Sequence, residues 1–181
     1  MIPLCNSEVL SLDFINADRL FLLLPSCSRL RSLSAVVDSR TSLTTIDEKI
    51  SLPIPIETFA QITYLRLCFR PFDISILDRL FSCFPCLRRL SFETLVYNTD
   101  YIRSPFWTKR LQQYFPLLER IRLIIRGWFV LKTSQIQLTD VKFDQTSVID
   151  SYRFDRYWID RAHKGLFQCC YDSTTAVLQI R

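Results

Sequence analysis

The chain has 181 residues, 49% of them hydrophobic, enough to bury one sizeable core, and its formal net charge of +5 is low for a dedicated nucleic-acid binder. Glycine occurs only at Gly127 and Gly165, which argues against a glycine-rich phosphate loop and the nucleotide chemistry such loops support. The basic residues are uneven, 18 arginines against 5 lysines, a bias toward planar side chains that grip carboxylates and aromatic faces and therefore toward a binding surface.

In chain order, Met1 to Asn6 shows neither a basic leader nor an unbroken apolar stretch, and the apolar run Leu20 to Leu24 is far short of a membrane span. A soluble protein of the cytoplasm or nucleus, with no membrane partner, is expected. A first strand is expected around Val9-Leu12-Phe14, followed by a helix capped by Asp18 with Leu20, Leu23, Leu24 and Cys27 on one face. A second strand falls at Leu30-Leu33-Ala35. Residues Arg40 to Pro55, rich in Ser and Thr and closing on Pro53 and Pro55, read as a long irregular connection.

Ile62-Leu65-Leu67 gives the third strand, and Asp73 caps a helix bearing Leu77, Leu80, Phe81 and Phe84. Leu87-Leu90-Phe92 follows. Ser104 is then the expected N-cap, with Pro105 at the first helical position, of a helix with Trp107, Leu111, Tyr114 and Phe115 at helical spacing, ahead of the fifth strand at Leu118-Ile121-Leu123. Beyond Gly127 the segments Trp128–Leu131, Val141–Phe143, Leu166–Cys169 and Ala176–Leu178 read as short strands.

One phrase, hydrophobic-x-x-hydrophobic-x-hydrophobic, thus recurs five times, with starts separated by 21, 32, 25 and 31 positions and with Phe59, Phe84 and Phe115 three residues upstream of three copies. Such a phrase at such a period marks leucine-rich repeats, whose single strands and helices bury their apolar faces only by stacking. The expectation is an α/β fold, a short irregular leucine-rich-repeat-like solenoid. Degenerate repeats would occupy residues 1–126, and a β-rich C-terminal cap, residues 127–181, would pack on the last of them within a single structural domain.

Catalytic constellations are weak. Cys83-Phe84-Pro85-Cys86 has the C-x-x-C spacing of thiol oxidoreductases, but it closes a helix and precedes a strand, the reverse of what lowers a thiol pKa. Seven cysteines, an odd number at scattered positions, read as core residues of a reducing compartment rather than a disulfide framework. Zinc ligation by Cys83, Cys86, His163 and Cys169 or Cys170 lacks a second close ligand pair. His163 is the only histidine, and Asp155 and Asp160 sit among Arg153, Arg156 and Arg161 as alternating surface charge. No catalytic residue, no metal site and no cofactor is expected.

The strand residues that flank the buried phrase point the other way, onto the concave face of a solenoid. Asp13, Ser34, Arg66, Ser91 and Arg122 occupy the central slot, and Ser11, Ser32, Tyr64, Arg89 and Arg120 the slot before it. The face turns basic from the third copy onward. Tyr64, Arg66, Arg89, Arg120 and Arg122 are therefore the candidate partner-binding residues, for an acidic patch on a protein or peptide.

Residues 80–181 also resemble a divergent group of F-box and leucine-rich-repeat proteins. Leu80–Phe92 is similar to their "L-x-x-x-x-P-N-L-x-x-L-x-F" phrase, Tyr101–Trp107 to a "Y-I-D-G-x-x-W-E" helix entry, and Tyr157-Trp158-Ile159, His163, Leu166-Phe167 and Cys169 to a closing "F-W-I-x-x-H-x-W-F-x-x-C". The resemblance implies the substrate-recognition part of a ubiquitin-ligase receptor. It lacks room before the first repeat for the F-box, so no binding to a Skp1-type adaptor is expected. The reading is a non-enzymatic protein-interaction module, with a cysteine-dependent redox enzyme and a nucleic-acid-binding module as alternatives.

Overall fold

In the computed structural model the described residues are 7–38, 57–70, 73–96, 98–127, 145–164, 169–172 and 177–180. The expected irregular connection at 40–55, the strands expected at 128–131 and 141–143, and residues 166–168 lie outside them. Five parallel strands follow one another in chain order: β1 (Val9–Asn16), β2 (Ser32–Asp38), β3 (Tyr64–Arg70), β4 (Arg89–Val96) and β5 (Arg120–Gly127). Two short strands, β6 (Cys169–Asp172) and β7 (Val177–Ile180), then join antiparallel, giving the order β1-β2-β3-β4-β5-β7-β6. Helices α1 (Ala17–Leu23), α2 (Ile74–Ser82), α3 (Ser104–Tyr114), α4 (Gln145–Arg153) and α5 (Arg156–His163) complete the described elements.

Two parts of the sequence-based expectation are overturned. The chain forms one continuous α/β sheet, and a leucine-rich-repeat solenoid does not emerge. Its connections are unequal, because β1 reaches β2 through α1 and a 3-10 turn at Leu24–Ser26, β3 reaches β4 through α2, and β4 reaches β5 through a 3-10 turn at Thr99–Ile102 followed by α3. Nor do the described residues form a β-rich cap packed on a last repeat. The late strands extend the same hydrogen-bonded sheet through the β5–β7 ladder, and residues 145–153 and 156–163 are helical.

The recurrence in the sequence has a local cause. Before four of the strands the chain makes the same turn, with the N–H of Leu30, Ile62, Leu87 and Leu118 donating to the carbonyls of Cys27, Phe59, Phe84 and Phe115 at 3.0–3.2 Å. The next two residues each donate to one carbonyl of the preceding unit: Arg31 and Ser32 to Glu8, Thr63 and Tyr64 to Arg31, Arg88 and Arg89 to Thr63, Glu119 and Arg120 to Arg88. The accepting residues, Phe59, Phe84 and Phe115 in three copies and Cys27 in the other, and the donating Leu30, Ile62, Leu87 and Leu118 are all buried.

That ladder also fixes the phase of the first copy. Leu10 pairs with Leu33 and Leu12 with Ala35, so the expected alignment of Leu12 with Leu33 is two residues out. A register shift between Leu12 and Ile15 accompanies it, and Val9 and Phe14, expected to pack inward, are 65% and 68% exposed. From β2 to β5 the register is unbroken: Leu33, Leu65, Leu90 and Ile121 form one row and Ala35, Leu67, Phe92 and Leu123 the next, all buried.

Those rows meet the helices. Phe81 of α2 lies 5.7 Å from Phe92 and 4.8 Å from Phe115, and Trp107 of α3 lies 5.4 Å from Phe92, at the tilted or edge-on angles aromatic quadrupoles favour. Asp73 caps α2 as its sequence implies, its carboxylate accepting from the N–H of Ser75 and Ile76. Two caps differ. Asn16 rather than Asp18 caps α1 by accepting from the N–H of Asp18, and α3 begins at Ser104 itself, with Arg103 in the cap position and no side-chain capping bond, while the Ser104 hydroxyl donates to Asp155. Asp155 is thus no surface charge. It caps α5 through the N–H of Tyr157 and receives the hydroxyls of Ser104 and Thr108, while the indole of the fully buried Trp158 donates to Thr108 at 2.9 Å.

Candidate functional site

Because strand residues alternate in direction, burying one set of rows against the helices sends the intervening set to the opposite, open face. Parallel register places Val9, Ser32, Tyr64, Arg89 and Arg120 side by side in one row across the five strands. Ser11, Ser34, Arg66, Ser91 and Arg122 form the next. All five residues chosen from sequence therefore share one face. In the rows themselves, Ser11 takes the slot expected for Asp13, and Val9 the slot expected for Ser11, for the phase reason given above.

Arg66, Arg89, Arg120 and Arg122 are exposed and make no ion pair among the described residues. Tyr64 is half-buried beside Arg89. Neighbouring parallel strands are about 4.8 Å apart, so Arg66 on β3 and Arg122 on β5 stand about 10 Å apart with Ser91 of β4 between them. A groove of about 310 Å³ runs over this row, with Ser34, Arg66, Ser91 and Arg122 among its walls. The arrangement offers guanidinium and hydroxyl donors to an oxyanion-bearing ligand.

One row further along the strands the character reverses. Val36, Cys68, Glu93 and Ile124 lie side by side, and Oε1 of Glu93 accepts from Arg70 at 3.2 Å and from Arg126 at 3.0 Å. This three-residue clasp escaped the sequence reading. Its signal was present, since Arg70 and Arg126 lie four residues beyond Arg66 and Arg122 and so share their direction, as Glu93 shares that of Ser91.

The other chemical candidates are dispersed. Cys83 is buried at the C-terminal end of α2, its thiol directed at the carbonyl of Arg79 at 3.3 Å, and burial pushes its pKa up to about 11. That is opposite to the shift a redox nucleophile needs. Burial also raises the Cys68 thiol, partly opposed by the charge of Arg70. Cys86 is half-buried in the turn before β4, and His163 is exposed in the last turn of α5. Among the described residues no three of His, Cys, Asp or Glu come together to hold a metal ion, and no helix is long and apolar enough to cross a membrane.

A second crevice, of about 610 Å³, lies between Gln112 of α3, the Leu118–Glu119 turn and α5. Its charges are mixed, with Arg156, Arg161 and Lys164 beside Glu119 and Asp160. Arg161 stacks 4.7 Å from the Tyr157 ring and donates to the Leu118 carbonyl at 2.8 Å, which ties it to the fold. The open sheet face is the stronger site, because four of its arginines make no ion pair among the described residues. Compared with protein-family models, curated proteins and solved structures, the chain matches none of them.

Proposed function

We propose that this chain is a non-enzymatic protein-interaction module whose open sheet face receives an acidic patch of a partner protein. One observation carries the reading: Arg66, Arg89, Arg120 and Arg122 lie in two adjacent rows on β3, β4 and β5, exposed and without a carboxylate partner among the described residues. Unpaired charges of one sign held at fixed register on a sheet speed encounter with the opposite charge and penalise like-charged surfaces. The resemblance of residues 80–181 to F-box receptors supports a narrower form of the reading, in which the module is the substrate-recognition part of a ubiquitin-ligase receptor.

Affinity capture from a cell extract, with proteins and nucleic acids both scored and a Skp1-type adaptor scored explicitly, tests both forms. Capture of an acidic protein by the native chain, abolished when Arg89→Glu and Arg122→Glu are combined and the fold is retained, is the expected result. Undiminished capture by that double variant removes the face from the reading. Nuclease-sensitive capture would replace the protein partner by nucleic acid.

A further inference from the structure

The open face carries six arginines on β3, β4 and β5, yet they are not equivalent. Four are unpaired, whereas Arg70 and Arg126 both bind the same oxygen of Glu93, at 3.2 and 3.0 Å. Glu93 is the least exposed of the three, at 29% against 55% and 48% for the two arginines. It stands in the middle strand, one row beyond Ser91, with the arginines reaching inward from the strands on either side. A carboxylate so placed holds two guanidiniums, cancels one of their two positive charges, and adds a like charge to the groove, where Glu93 and Asp13 are among the lining residues.

Resting on the reading of the open face as an anion-binding surface, we infer that Glu93 is its specificity-determining residue: an internal competitor that confines acidic ligands to the two rows at the start of the strands. The ligand it fits is a short run of carboxylates laid across β3, β4 and β5 over Arg66, Arg89, Arg120 and Arg122. A longer acidic segment would have to bring its next carboxylate over Glu93. The clasp offers one net positive charge against four arginines on the first two rows, so that carboxylate gains less there, and the two arginines that could have received it are already held by Glu93. Selectivity then comes from a repulsive element beside the attractive one.

The probe is a fluorescein-labelled oligoglutamate peptide titrated by anisotropy at low and moderate salt. Glu93→Gln keeps the shape and releases both arginines, so it should bind the peptide about three- to tenfold tighter and with a steeper salt dependence. Arg70→Gln combined with Arg126→Gln leaves Glu93 uncompensated, so it should weaken binding about two- to fivefold in the native background, and it should cancel the gain when added to Glu93→Gln. That pair also serves if Glu93→Gln fails to fold. Native-like binding by Glu93→Gln, or undiminished binding by the arginine pair alone, overturns the inference while leaving the open-face reading intact, provided Arg89→Glu with Arg122→Glu still abolishes binding. No binding of the peptide by the native chain, or undiminished binding by that last variant, removes both.

Discussion

The two faces of the sheet are written by the same residues in alternation and do different work. Toward the helices β4 presents Leu90, Phe92, Thr94 and Val96, all buried, while the other side presents Arg89, Ser91 and Glu93, exposed or half-buried. One face is apolar and aromatic, and its neighbours are fixed by packing. The other is charged and meets water. The difference teaches that packing and surface charge can be separated along a single strand, since a side-chain period of two lets each be altered without the other.

The largest effect tests the buried side. Leu90 is 1% exposed and stands in a row between Leu65 and Ile121. Leu90→Ala should cost about 2–5 kcal/mol, from lost burial plus the cavity left behind. Urea unfolding followed by circular dichroism measures it. A loss below about 1 kcal/mol would mean that this face is loosely packed and that the two faces differ less than their burial implies.

How much of this contrast was legible in the sequence follows from which residues set the phase. In the third to fifth strands an apolar residue occupies every slot of the phrase, and an upstream aromatic marks the turn, so Leu65, Leu90 and Ile121 fall into register as expected. In the first, Val9-Leu12-Phe14 satisfies the phrase better than the true set, in which the polar Ser7 takes the opening slot before Leu10 and Leu12. Apolarity alone picks the wrong phase. The carbonyl of Glu8, receiving Arg31 and Ser32, sets the true one.

The C-terminal third misled for a different reason. α4 and α5 have eight or nine residues each, and their buried markers, Val148, Tyr152 and Trp158, are too few to display a helical period against strand-like neighbours. What holds them is long-range. The Tyr152 hydroxyl donates to the Ile102 carbonyl at 2.8 Å, and the Ser151 hydroxyl receives the Ser104 N–H at 3.1 Å. The same distance in sequence separates Asp155 from the Ser104 and Thr108 hydroxyls, so its reading as a surface charge could not have been corrected by local pattern.

The intermediate effect probes that buttress on the helix-covered side. Asp155 accepts from Ser104, Thr108 and the Tyr157 N–H, and Thr108 in turn receives Trp158. Asp155→Ala should therefore cost about 1–3 kcal/mol, through the lost cap and the part-buried hydroxyls left unpaired. Near-ultraviolet circular dichroism should report the change through Trp158, which stacks 5.3 Å from Tyr152. A neutral outcome would show that α5 is held by its apolar contacts alone and that the hydrogen-bonded hub is incidental.

The smallest effect belongs to the open face. Arg89 and Arg122 are exposed and unpaired among the described residues, and the side chains beneath them on the far side are undisturbed by a change of head group. Replacing both by Glu should shift the unfolding free energy by no more than about 0.5 kcal/mol, the usual scale for surface positions away from caps and cores. Reversal also brings two new carboxylates near Arg66 and Arg120, and exposed pairs of that kind contribute about 0–1 kcal/mol, so a small gain in stability is as compatible with the separation as a small loss. A loss comparable with that of Leu90→Ala would break the comparison. The arginines would then be packing elements through their methylene stems, and any binding lost in the same variant would have to be ascribed to unfolding rather than to charge.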